Sequence, residues 1–159
     1  TISAMSIENE LDELYRELIL DHYRRPRNTD LLPDAQLKAE GFNPFCGDRA
    51  ILQLKLDDQG KVSEVSARSE GGSIIQAANS MLSDLLRGKS LGEMEELGKR
   101  FRASMYNGAA NDGAEADVDG LGDLLGLQVV RRFPVRIKCA LLPLTALEEG
   151  IKAYRAKTI

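Results

Sequence analysis

Leu11, Leu14, Tyr15, Leu18, Ile19 and His22 fall three or four positions apart, the spacing that gathers side chains on one face of a helix, and Pro26 ends that run after Arg24-Arg25. The pattern then changes to a period of two. Leu52, Leu54 and Leu56 alternate with Gln53 and Lys55, Asp57-Asp58-Gln59-Gly60 supplies a turn, and Lys61 to Arg68 returns as a second strand. A weaker alternation in Gln36 to Phe42 adds a third strand. Glu70-Gly71-Gly72-Ser73 opens a helix carrying Ile74, Ala77, Ala78, Met81, Leu82 and Leu85, with Gly88 as its stop. Ser90-Leu91-Gly92-Glu93 has the form of a capping box before Leu91, Met94, Leu97, Phe101 and Met105. Asn107 to Val118, rich in Gly, Ala, Asn and Asp, is expected to be a mobile loop, and Leu144, Leu147, Ile151 and Tyr154 form a last helical face. Strands first and helices afterwards predict an α+β fold, a small three-stranded antiparallel sheet packed against several helices.

Composition narrows the class. A length of 159 residues with 43% hydrophobic content suits one core, and a single domain over residues 7–157 is expected. Residues 1–6 are expected to be disordered or a cloning remnant, since Thr1 to Ala4 precede Met5 without the pattern of a signal peptide. No apolar run approaches the roughly 20 residues that span a bilayer, which argues against a membrane partner. Two cysteines without CxxC spacing make neither a disulfide framework nor a four-thiolate site, so a reduced, cytoplasmic setting is expected. A net charge of −4 offers no general attraction to nucleic acid. Arg24, Arg25 and Arg27, and again Arg131, Arg132, Arg136 and Lys138, form local basic clusters that read as docking surface.

The candidate chemistry gathers at Asn43-Pro44-Phe45-Cys46-Gly47-Asp48, where a thiol and a carboxylate stand two residues apart at a tight turn beside a strand. Cys139, the only other cysteine, lies 93 positions on, where an extended run is expected to meet a helix. Two thiols at two element junctions suggest one composite site for a metal or a persulfide. Each residue also has a plainer reading. Either cysteine can be a small buried apolar side chain, and Asp48 can serve the turn by accepting a backbone N–H. Gly71-Gly72 can cradle an anion or simply make a tight turn. His22, on the apolar side of its helix, reads as a core or boundary residue before it reads as a ligand. Arg136 can stabilise a thiolate or pair with Asp48, or remain a solvated charge.

From about Leu14 to Tyr154 the chain resembles the U-type iron-sulfur scaffold proteins, and among them the SufU-type sulfur acceptors more than the IscU type. The resemblance rests on Tyr15 to Asn28, with its Asp-His-Tyr and Pro-Arg-Asn, on Asn43 to Asp48, and on Phe133-Pro134-Val135-Arg136-Ile137-Lys138-Cys139-Ala140, in that order. It implies the fold of the NifU and SufE proteins and a metal site in which Cys46 is the mobile ligand and persulfide acceptor, Asp48 an oxygen ligand and Cys139 a fixed thiolate. Zinc is the implied cofactor, with a transient iron-sulfur cluster second. A cysteine desulfurase and downstream iron-sulfur assembly proteins are the implied partners. The family's remaining ligand, a cysteine, falls on Gly72 here. Three ligands leave tetrahedral zinc incomplete, so two readings stand: an acceptor of sulfane sulfur on Cys46, or a non-catalytic member that binds assembly partners without carrying sulfur or cluster.

Overall fold

The computed structural model describes residues 4–106 and 120–157; the expected loop at Asn107 to Val118 lies outside them. The order of elements is α1 (Ala4–Arg24), β1 (Leu37–Asn43), β2 (Asp48–Leu56), β3 (Val62–Glu70), α2 (Ser73–Asp84), α3 (Leu91–Tyr106), a 3-10 helix (Gly122–Arg132) and α4 (Pro134–Lys157). The three strands form one antiparallel sheet in the order β1-β2-β3, so the fold is α+β.

Period two decides what β2 buries. Asp48, Ala50, Leu52, Leu54 and Leu56 face the core, while Arg49, Ile51, Gln53 and Lys55 are half-buried on the other face. Leu52 and Leu54 are fully buried, each contributing about 1.5–3 kcal/mol by leaving water. Asp48 shares the inward face with these leucines because it stands an even number of residues before them on the strand, and it pairs with Asn43 at the mouth of the β1–β2 turn. Helix α4 packs on that face through Ile137, Ala140, Leu144, Leu147 and Ile151. Its approach to β1 is so close that a Cβ at Gly150 would stand 2.7 Å from the Cβ of Ala39. Helix α2 adds Ala77, Ala78, Met81 and Leu82, and α3 adds Met94, Leu97, Phe101 and Met105. The capping box forms as read: Ser90 N–H donates to Glu93 Oε1 at 3.0 Å and Glu93 N–H to Ser90 Oγ at 3.2 Å.

Three expectations are corrected. Leu14 is 62% exposed, because the buried stripe of α1 runs through Ile19 and His22 instead. The segment before Cys139 is not extended: Leu121, Leu124, Leu127 and Val130 recur every third residue and are all buried, the period of the 3-10 helix they occupy or adjoin. Cys139 therefore does not begin the last helix. That helix starts at Pro134, whose fixed φ and missing N–H suit a first helical position, and Cys139 lies in its second turn.

His22 is fully buried and joins three elements. Its Nδ1 is 2.8 Å from Ser80 Oγ on α2, and its Nε2 is 2.8 Å from Asp123 Oδ2 on the 3-10 helix. Beyond the helix end, Arg27 N–H donates to the same Ser80 Oγ at 2.9 Å, and Asn28, at φ 59, donates to Ser83 Oγ at 2.9 Å. The Pro-Arg-Asn turn is thus a structural clasp, and both ring nitrogens of His22 are engaged in it.

Candidate metal centre

The β1–β2 turn is held by Asn43. Its Oδ1 accepts from Phe45 N–H at 3.0 Å and its carbonyl from Gly47 N–H at 2.8 Å, with Gly47 at φ 74 closing the turn. Because Asn43 satisfies the turn, Asp48 is not needed there, and its carboxylate is turned inward at 5% exposure. Cys46 stands exposed at the apex.

Helix α4 brings Cys139 to the same place. Its Sγ lies 3.9 Å from Cys46 Sγ and also donates to Val135 O, one turn back, at 3.7 Å. Ligand atoms of Cys46, Asp48 and Cys139 all fall within 4.8 Å of one another, so these three can hold a metal ion together. The two distant thiols are therefore brought together, as expected. The fold supplies it by placing the turn between β1 and β2 over the second turn of α4.

The glycine pair has separate duties. Gly71, at φ 129, stands so close to Asp48 that a Cβ there would overlap Oδ1. Gly72 adopts φ −73 and ψ −178, which any residue tolerates, and its N–H donates to Asp48 Oδ1 at 3.4 Å. The backbone does meet an anion, the protein's own carboxylate. A Cβ at Gly72 would meet nothing within 4 Å, so the position is open and offers no ligand atom from a side chain.

Burial pushes the Cys139 thiol up to about 12, helped by the hydrogen-bonded, negatively charged Asp48 and by Cys46. Without a cation the thiol keeps its proton at neutral pH. Two carboxylate or thiol neighbours and partial burial create a site that positive charge would relieve.

Arg136 lies exposed in the first turn of α4 and, among the described residues, makes no ion pair with Asp48. Part of each basic cluster is ion-paired: Arg25 and Arg27 share Asp21, at 2.7 and 2.6 Å, and Arg132 pairs with Asp12 at 2.5 Å. What distinguishes the surface around the thiols is apolar. Phe45 is 98% exposed beside Cys46, and Val135, Phe133, Phe42 and Tyr106 are exposed as well. Phe42, Pro44, Phe45, Tyr106, Lys138 and Leu141 border a cleft of about 320 Å³. The sequence signal for this patch was present in the run of Phe and Pro around each cysteine, but exposure is a tertiary property and was not legible.

Residues 14–123 match the model of the NifU-like N-terminal domain. The zinc-dependent sulfurtransferase SufU of Bacillus subtilis is 40% identical over 147 residues, covering 92% of this chain and 95% of that protein. The iron-sulfur cluster assembly scaffold protein IscU of Streptococcus pyogenes is 34% identical over 144 residues, covering 91% and 86%. Among solved structures, the iron-sulfur cluster assembly scaffold protein for the SUF system from Fervidobacterium islandicum superposes with a TM-score of 0.74 at 28% identity, over 85% of this chain and 94% of that one. With more than half its length matched by the family model, the chain belongs to the NifU-like N-terminal domain family.

Proposed function

We propose that this protein serves iron-sulfur cluster assembly as a sulfur acceptor, taking sulfane sulfur from a cysteine desulfurase onto Cys46. The observation that carries the reading is an exposed Cys46 thiol at the apex of a turn, 3.9 Å from a second thiol and clustered with a buried carboxylate. Transfer needs a nucleophile that a partner can reach, and exposure supplies that. The kinship with a zinc-dependent sulfurtransferase supports the same direction.

The donor set fits zinc. Two thiolates bound at about 2.3 Å to a tetrahedral ion stand about 3.8 Å apart, and the two Sγ atoms are 3.9 Å apart here. Cys46, Asp48 and Cys139 would hold the ion, and Gly72 leaves one coordination position to a water or a foreign donor. Bound there, zinc supplies charge that keeps both thiols deprotonated. Arg136, three residues before Cys139, adds positive potential from the solvent side. Three ligands are too few to build a cluster securely, so sulfur acceptance ranks above cluster assembly on this chain. Sulfur then passes to downstream assembly proteins.

The partner docks on the apolar rim. An almost fully exposed phenylalanine beside the acceptor thiol costs hydration that a complementary surface removes. Phe45→Ala is expected to weaken desulfurase binding by about 1–3 kcal/mol without loss of thermal stability.

The decisive experiment incubates the protein with a pyridoxal-phosphate cysteine desulfurase and sulfur-labelled cysteine, then maps the label by mass spectrometry. Label on Cys46, absent in Cys46→Ala, supports the reading. Label on Cys139 alone, or neither protein-bound label nor released labelled sulfide while the desulfurase still binds, replaces it with a non-catalytic partner-binding role.

A further inference from the structure

We propose a further activity: Cys139 resolves the persulfide on Cys46, closing a Cys46–Cys139 disulfide and releasing the outer sulfur as sulfide. The inference rests on Cys46 being the sulfur acceptor, and it assigns the second thiol a reaction of its own.

The step balances internally. Cys139 sulfur forms a bond to Cys46 Sγ while the bond between Cys46 Sγ and the outer sulfur breaks. The sulfane sulfur takes up two electrons and leaves as hydrosulfide; the two cysteine sulfurs give up one electron each. Cys139 rests as a thiol, so the Asp48 carboxylate, which shares the cluster within 4.8 Å, takes its proton as the new S–S bond forms and passes it to the departing sulfide. Restoring the dithiol for another round requires a dithiol reductant, so without one the reaction stops after a single turnover.

Geometry favours it. The two Sγ atoms at 3.9 Å are already close to the roughly 3–3.5 Å of a near-attack arrangement. Shortening to the disulfide length of about 2.05 Å asks for movement of the exposed turn at Cys46, not of helix α4. That turn ends at Gly47, at φ 74, a backbone with no side chain to obstruct the shift. No third thiol competes, since the chain has only these two cysteines, and Gly72 offers no side chain to occupy either sulfur.

Chemistry decides which sulfur is struck. Attack on the outer sulfur would move the persulfide to Cys139 and expel the Cys46 thiolate. Attack on Cys46 Sγ expels hydrosulfide, the anion of a stronger acid than a cysteine thiol and so the better leaving group. A metal ion held by both thiols would occupy both sulfurs, so zinc is expected to suppress the reaction.

The test uses reduced, chelator-treated protein given one equivalent of glutathione persulfide, alongside Cys139→Ser and Cys139→Ala, each checked for native far-UV circular dichroism. Sulfide is measured colorimetrically and the cysteine peptides are mapped without reduction. The wild type is expected to yield sulfide and cross-linked Cys46–Cys139 peptide in equal amounts. Either variant is expected to retain the Cys46 persulfide at least about tenfold longer, the advantage of an intramolecular nucleophile being lost. Prior addition of one equivalent of zinc is expected to reduce the cross-link by about tenfold. Equal persistence of the persulfide in wild type and variants overturns the inference but leaves sulfur acceptance standing, as does transfer of the extra sulfur to Cys139 or sulfide release without cross-link. Failure of Cys46 to take up sulfur in wild type and variants alike, with no sulfide released, overturns both.

Discussion

Gly71 and Asp48 share one space: the absent side chain of Gly71 is what lets the Asp48 carboxylate lie beside the backbone at the start of α2. With φ at 129, Gly71 also holds a conformation that L side chains rarely adopt. Gly71→Ala is therefore expected to displace Asp48, to cost about 1–3 kcal/mol of stability and to lower zinc affinity by about tenfold or more. Thermal unfolding of the metal-free protein and a chelator-competition titration measure the two effects separately. Unchanged zinc affinity would remove Asp48 from the ligand set.

Gly72, its neighbour, is expected to behave in the opposite way. A side chain at that position meets open space and an ordinary backbone conformation. Gly72→Cys should leave stability within about 0.5 kcal/mol and raise zinc affinity by about tenfold or more by adding a thiolate. A titration showing no gain would mean that the position does not face the metal.

Cys139 sets a pH dependence whose sign follows from its raised pKa. Relative to the ordinary value of 9.0, burial beside Asp48 and Cys46 raises this thiol to about 12, so the folded, metal-free protein holds the proton more tightly than the unfolded chain. Its contribution to stability is complete below pH 9.0 and is lost as pH rises towards about 12. Zinc binding must release that proton, so affinity is expected to climb with pH by about tenfold per unit per proton released. Denaturant titrations of wild type and Cys139→Ser across the alkaline range test the first statement, since other groups titrate there in both proteins and cancel in the difference. Zinc titrations between pH 6 and 8 test the second, about one proton being expected from Cys139.

His22 is expected to matter for folding and not for metal. Removing it takes one hydrogen-bond partner from Ser80, which keeps Arg27 N–H, and one from the half-exposed Asp123, and opens a cavity where α1, α2 and the 3-10 helix meet. His22→Ala should cost about 2–4 kcal/mol, with His22→Gln recovering part of it. Equal zinc affinity for folded wild type and variant, measured well below the melting temperature, would confirm the division of labour.

The strands and amphipathic helices were legible because each is a repeat among consecutive residues, imposed by the backbone geometry of a strand or a helix turn. The alternation of Leu52, Leu54 and Leu56 located β2, and the capping box located α3. Two local signals were passed over in expecting an extended run before Cys139: the period of three from Leu121 to Val130 that the 3-10 helix carries, and Pro134 at the start of α4.

By itself the sequence determined the family, the fold class and the three side chains of the candidate site, since a short turn motif and a helical motif are local and carry their chemistry with them. Only the tertiary structure decided that Cys46 and Cys139, 93 residues apart, stand at 3.9 Å. It alone showed that Asn43 relieves Asp48 of turn duty, that Gly71 makes room for the carboxylate, and that both nitrogens of His22 are engaged far along the chain. Those relations depend on how α4 packs across the sheet and α1 against α2. Such packing is set by the summed burial of many side chains, so no local pattern records it.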